Sequence, residues 1–129
     1  MKKYPFELES DESLILVKSN VNGERAALAL DTGASHTTLD LSFLLITGVE
    51  MQDSLDTVLL ETAIGPVEAY VFKVNLFTAL GITVRDFHVC AYDFLANNIF
   101  SDFDGMLGLD FFRGHDLHIS FKRFEIIVE

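Results

Sequence analysis

Short stretches of branched and aromatic residues, broken by Gly, Asn and Pro, recur along the chain. Ser13 to Ser19 is one such run, and Arg25 to Leu30 is another. Between them stands Asn22-Gly23, a pair favoured in two-residue hairpin turns because both residues tolerate positive φ. The two runs are expected to pair as antiparallel strands. Phe6 to Glu9 reads as a short strand before them. Val58–Thr62 and Glu68–Phe72 flank Ile64-Gly65-Pro66 and predict a long hairpin with a Gly-Pro tip. Val84 to Tyr92 is a further strand, and Ala96 to Phe103 is polar and irregular. Met106-Leu107 reads as a short buried strand, followed by a glycine turn and a short helix stopped by Gly114. Leu117–Phe121 and Phe124–Val128 form a closing hairpin around Lys122-Arg123. Another helix is expected over Leu41–Ile46, with Thr38-Leu39-Asp40 offering caps and Gly48 ending it. That apolar run is too short for its period to exclude a strand. Short strands with little helix predict an all-β barrel-like or sandwich fold. With no repeat, linker or low-complexity stretch, residues 1–129 are read as one domain.

Composition narrows the classes. Half of the 129 residues are hydrophobic and 12 are Phe, so a sizeable core is available. The net charge of −11 argues against nucleic acid and anionic membrane surfaces as partners, because both repel it. No apolar run approaches the roughly 18 residues of a membrane-spanning helix. The longest, Val74 to Val84, is interrupted by Asn75, two Thr and Gly81. Lys2 and Lys3 resemble the start of a signal peptide, but Glu7, Glu9, Asp11 and Glu12 fall where its apolar region is needed. The single cysteine, Cys90, forbids an intrachain disulfide and fits a reducing, cytoplasmic setting. Its apolar surroundings in sequence point to a packed core thiol rather than a nucleophile.

The stretch with chemistry is Ala29-Leu30-Asp31-Thr32-Gly33-Ala34-Ser35. It sets one carboxylate at the end of an apolar strand, then a hydroxyl, then a residue free to turn or to approach a neighbour closely. An ordinary strand-ending turn favours the same residues. The Gly65 hairpin has two readings as well, a plain sheet hairpin or a mobile flap over a ligand. His115 and His118 are three apart at a strand start, so their rings diverge and no metal site is expected. His36 reads as a surface loop histidine, and no cofactor is called for.

The run at 29–35 resembles the signature of retropepsin-like aspartic proteases, the single-domain relatives of retroviral proteases. Met106-Leu107-Gly108 resembles the family's second signature, two apolar residues and a glycine underlying the catalytic loop. The downstream Asp104-Gly105-Met106-Leu107-Gly108-Leu109-Asp110-Phe111-Phe112 is similar to bacterial members. The resemblance implies a single-domain closed β-barrel with one or two short helices and a flap hairpin, acting as a homodimer on peptide substrates. It implies Asp31 as the catalytic residue and Thr32 and Gly33 as loop and subunit contacts. Ala34, Ile64, Gly65 and Pro66 would meet substrate, and Met106, Leu107 and Gly108 would pack beneath the loop. One departure is visible. Retroviral members pair an Asp with an Arg at the positions of Ser35 and Leu109, and that ion pair is absent here. A single Asp-Thr-Gly gives half a two-carboxylate site, so the second Asp31 would come from a symmetry mate. The rival readings are a catalytically silent dimeric binding module of the same fold and a regulatory barrel with an unrelated pocket ligand.

Overall fold

The computed structural model describes residues 1–8, 10, 13–99 and 101–129. Its strands are β1 (Lys2–Pro5), β2 (Leu16–Val21), β3 (Glu24–Leu30), β4 (Thr38–Asp40), β5 (Asp56–Thr62), β6 (Gly65–Ala79), β7 (Ile82–Tyr92), β8 (Gly105–Leu107), β9 (Leu117–Ser120) and β10 (Glu125–Val128). One α-helix, α1 (Leu41–Ile46), follows β4. Asn22 and Gly23 take φ of 50° and 91° and fold β3 back onto β2, as their identity predicts.

The larger sheet runs β2-β3-β8-β4-β7-β6-β5, and β6 also pairs with β2. That extra pairing closes six strands into a barrel and leaves β5 outside, bonded to β6 alone. A second sheet, β1-β10-β9, joins the two ends of the chain. Leu28, Phe72, Val74, Phe77 and Leu107 are fully buried in the principal core. Phe77 stands at its centre, with ring centroids 5.2 Å from Phe87 and 5.3 Å from Phe111. Phe111 belongs to a single 3-10 turn, Leu109–Phe112, just after β8. The aromatic cluster therefore ties the segment after the second signature into the barrel.

Four expectations are revised. The N-terminal strand lies at Lys2–Pro5 rather than Phe6–Glu9, because its pairing with β10 ends where the Phe6 N–H reaches the Phe124 carbonyl at 2.9 Å. Phe6 is instead buried, edge-on to Phe121 and Phe124; Glu9 lies outside the described residues. The next strand is set later, at Leu16–Val21 rather than Ser13–Ser19, where β3 and β6 supply partners. The long hairpin turns two residues earlier than the expected Gly-Pro tip. Thr62 faces Gly65 across the strands, so Ala63 and Ile64 make the tip and Pro66 lies inside β6 opposite Glu61. The Thr62 hydroxyl fixes this turn, donating to the Gly65 carbonyl at 2.6 Å and accepting from the Ile64 N–H at 3.3 Å. Finally, β6 runs on to Ala79 and turns into β7 at Leu80-Gly81, both at positive φ, inside what reads as one apolar run.

The apolar run after the loop is a helix, and the strand lies just before it, on the residues read as caps. Thr38–Asp40 is a strand and Leu41–Ile46 a helix, with Gly48 at φ 97° just past its end. Asp40 does not cap that helix; its carboxylate accepts the Phe94 N–H at 3.2 Å. Part of the 96–103 stretch is ordered as a 3-10 turn at Leu95–Asn97, and Phe100 lies outside the described residues. Among the described residues no helix is long and apolar enough to cross a membrane.

Phe77→Ala removes a fully buried ring from the aromatic cluster. The expected loss is about 3–5 kcal/mol of unfolding free energy, read from urea denaturation.

Candidate active site

The Asp31 loop owes its place to three strands. It joins the end of β3 to the start of β4, and β8 lies between those two strands, parallel to β3 and antiparallel to β4. Leu28, Ala29 and Leu30 pair with Gly105, Met106 and Leu107, while Thr38 and Leu39 pair with Met106 and Gly105. The loop is thus anchored at both ends to the same three residues. The Leu107 carbonyl takes the Asp31 N–H at 3.0 Å, and the Ala34 carbonyl takes the Leu109 N–H at 2.9 Å.

Within the loop, the Gly33 N–H donates to Asp31 Oδ1 at 3.0 Å, and the Ala34 N–H donates to the Asp31 carbonyl at 3.1 Å. These bonds orient the carboxylate. Asp31 and Ala34 are half-buried, whereas Thr32, Gly33, Ser35 and His36 are exposed. A Cβ at Gly33 would stand 3.3 Å from Asp31 Oδ1 and crowd it. The Thr32 hydroxyl makes no hydrogen bond to another described residue. Ser35 Oγ and His36 Nδ1 lie 2.9 Å apart.

Gly108 passes directly beneath the loop. A Cβ there would lie 2.7 Å from the His36 carbonyl carbon and 2.9 Å from the Ala34 oxygen, so only glycine fits against this fixed backbone. Next to it is a lock that sequence reading misses. Thr37, fully buried, donates both its N–H (2.9 Å) and its hydroxyl (2.7 Å) to Asp110 Oδ1. The same hydroxyl accepts the Gly108 N–H at 3.1 Å. Asp104 does similar work at the other end of β8, its carboxylate accepting the Ala27 N–H at 2.9 Å. In the sequence these carboxylates belong to the 104–112 run similar to bacterial members, where they bracket Gly105–Leu109 as turn-prone acids on either side of a buried strand.

The remaining expected residues are spread more widely. Met106 is half-buried and Leu107 fully buried. Ile64 is 67% exposed at the tip of the β5–β6 hairpin. Gly65 has φ 111°, and a Cβ placed there would meet nothing within 4 Å, so its glycine serves the turn and not a close approach within the protomer. The inner face of this hairpin, through Val58, Leu60, Val67 and Ala69, packs with Cys90, Tyr92, Phe94 and Met106. Leu59, on the outer face, is 70% exposed. Cys90 is buried, as expected of a core thiol; its N–H donates to the Thr37 carbonyl at 3.0 Å. Burial first, and the Asp110 charge second, raise its thiol pKa. His115 is exposed, and His118 lies 3.6 Å from a Glu129 carboxylate oxygen.

The sequence profile of a family described as "Aspartyl protease" matches residues 17–111, which is most of the chain and includes both signatures. The chain belongs to the aspartyl protease family. Its fold is that of the retropepsin-like members. A retropepsin-like aspartic protease from Rickettsia conorii superposes with a TM-score of 0.72, over 98% of this chain and 89% of that one, at 16% sequence identity. A search of curated proteins gave no match.

Two measurements test this part of the molecule. Gly108→Ala forces the β8 turn away from the loop backbone, with an expected loss of about 1–3 kcal/mol in stability. The raised thiol pKa carries a sign. An unfolded chain ionises Cys90 above roughly pH 8.5 while the folded chain keeps its proton, so stability falls as pH rises through that region. Cys90→Ala is expected to flatten the decline in thermal midpoint between pH 8 and 10.

Proposed function

We propose that this chain is an aspartic endopeptidase that works as a homodimer, with one Asp31 from each subunit. The observation that carries this is the half-buried Asp31 carboxylate, oriented by the Gly33 N–H at the exposed end of β3. Peptide hydrolysis at such a site needs two carboxylates, one ionised and one protonated. The ionised one takes a proton from a water whose oxygen attacks the peptide carbonyl carbon. The protonated one gives its proton to the carbonyl oxygen. The tetrahedral intermediate then collapses: the carboxyl that took the water's proton gives it to the leaving nitrogen, the other carboxylate takes a proton from the gem-diol, and the C–N bond breaks.

The surface around the loop supports a subunit contact. Thr32 offers an exposed hydroxyl with no partner among the described residues, and Leu109 is 49% exposed where retroviral members carry an arginine. Thr32 and Gly33 are assigned to the contact with the partner's loop, and Ala34 to the substrate main chain. The β5–β6 hairpin is assigned as the flap, with Ile64 at its tip and Gly65 and Pro66 at its return. Its exposed apolar residues, Leu59 and Ile64, are surface that a bound peptide or the partner's flap would cover. Met106, Leu107 and Gly108 serve the site from below. One free buried thiol suits a reducing, cytoplasmic setting.

Asp31→Asn is expected to abolish cleavage of a fluorogenic peptide without moving the thermal midpoint. Specific activity should fall on dilution as the dimer separates, and sedimentation should show the dimer at micromolar concentration. A wild-type rate retained by Asp31→Asn, or by a dilute monomer, overturns the half-site reading. Gly65→Val places a branched side chain at φ 111°, a conformation costing about 1–3 kcal/mol outside glycine. Turnover should be lost while the rest of the barrel stays folded, because the strain falls on the hairpin turn. Global unfolding instead would make the hairpin core structure rather than a flap.

A further inference from the structure

A cleft of about 1300 Å³ separates the N-terminal strand from the barrel, and Asp31 is not among its lining residues. Residues from Tyr4 to Glu7 form one wall and β2 from Leu16 to Asn20 the other; the Leu80-Gly81 turn lies at one end. Its floor is apolar, with Phe6, Val17, Ala26 and Ile126 all buried.

Two open backbone edges border this space. β1 is the outermost strand of its sheet, bonded on one side to β10. β6 pairs with β2 only from Ser19 to Val21, because the chain turns back at Leu80-Gly81. The earlier part of β2 therefore keeps β3 on one side and, among the described residues, has no strand on the other. The Leu30 N–H bonds the Ile15 carbonyl, so positions 15, 17 and 19 address β3. By the antiparallel alternation, Leu16 turns its N–H and carbonyl away from β3, toward the open side. Its side chain is 45% exposed.

The charge at this cleft runs against that of the chain. Lys18 and Arg25 line it, and Glu7 is the single acid among the lining residues, in a chain whose net charge is −11. Neither cation makes an ion pair among the described residues. The volume exceeds the roughly 300–1000 Å³ usual for small-molecule sites.

We propose that this cleft docks an extended acidic peptide segment of a partner protein, which adds a strand along the Leu16 edge of β2 and sets its carboxylates against Lys18 and Arg25. Strand addition draws its affinity from main-chain hydrogen bonds, and the flanking charges select the sequence. The docking does not depend on Asp31. If the chain is a protease, the cleft holds a protein substrate at a second point, away from the bond that is cut.

The test uses the full chain carrying Asp31→Asn and a fluorescein-labelled ten-residue peptide alternating valine and glutamate. Fluorescence anisotropy gives the affinity, and amide chemical shifts give the location. Saturable binding is expected, with the largest shifts at Leu16–Lys18. Lys18→Glu with Arg25→Glu, both at exposed positions, should weaken it at least tenfold. A peptide alternating valine and lysine should bind at least tenfold more weakly. N-methylation of either all valines or all glutamates should also weaken binding at least tenfold, since one set faces β2. No saturable binding overturns the proposal. So does equal affinity in the charge-reversed variant or for the lysine peptide. Shifts confined to residues 31–36 would place the peptide on the Asp31 loop instead. Concentration-dependent shifts at Leu16 without peptide would make the occupant a second copy of this chain. Either result overturns the proposal.

Discussion

Most of what is specific about this molecule depends on how closely the backbone at Gly108 approaches the backbone of the Asp31 loop. A side chain of any size at position 108 would collide with main-chain atoms of residues 34 and 36, which the surrounding hydrogen bonds do not let move. The contact lets a three-residue strand, β8, sit between the two strands that the loop connects. From there it holds both ends of the loop at once. The orientation of the Asp31 carboxylate is a downstream result of that insertion.

The loop is secured by a polar lock rather than an ion pair. Thr37 is fully buried, and burying its N–H and hydroxyl unpaired would cost about 1–3 kcal/mol each. Asp110 satisfies both, and the hydroxyl in turn satisfies the Gly108 N–H. Thr37, Asp110 and Gly108 all belong to the one chain. With Ser35 and Leu109 unable to form the charged pair of retroviral relatives, the loop keeps its shape without help from a partner. The surface beside it is left polar at Thr32 and apolar at Leu109.

Much of this was legible in the sequence where local chemistry decides. Asn22-Gly23 names its own turn, and Asp31-Thr32-Gly33 with Met106-Leu107-Gly108 marks a loop and a strand that the structure brings together. What was not legible rests on contacts distant in sequence. Nothing local to Phe6 says that Lys2–Pro5 will pair with the other end of the chain. Leu80-Gly81 hides inside an apolar run because leucine is an unusual residue for a left-handed turn position. The tip of the β5–β6 hairpin lies two residues before the Gly-Pro pair because a threonine hydroxyl closes the turn. Asp110 is an ordinary helix-start acid by sequence, and its partner Thr37 lies 73 residues away.

The continuity of β6 has a mechanical meaning. One strand of 15 residues is hairpin at its start and barrel wall at its end, and the handover occurs at Tyr70 and Val71, which pair with β5 on one side and β7 on the other. Val71 faces Cys90, and the Cys90 N–H is bonded to the Thr37 carbonyl at the end of the Asp31 loop. The root of the hairpin and the foot of the loop thus share one residue's backbone. Any load on the projecting tip at Ala63 and Ile64 is passed by way of that residue to the frame that positions the carboxylate.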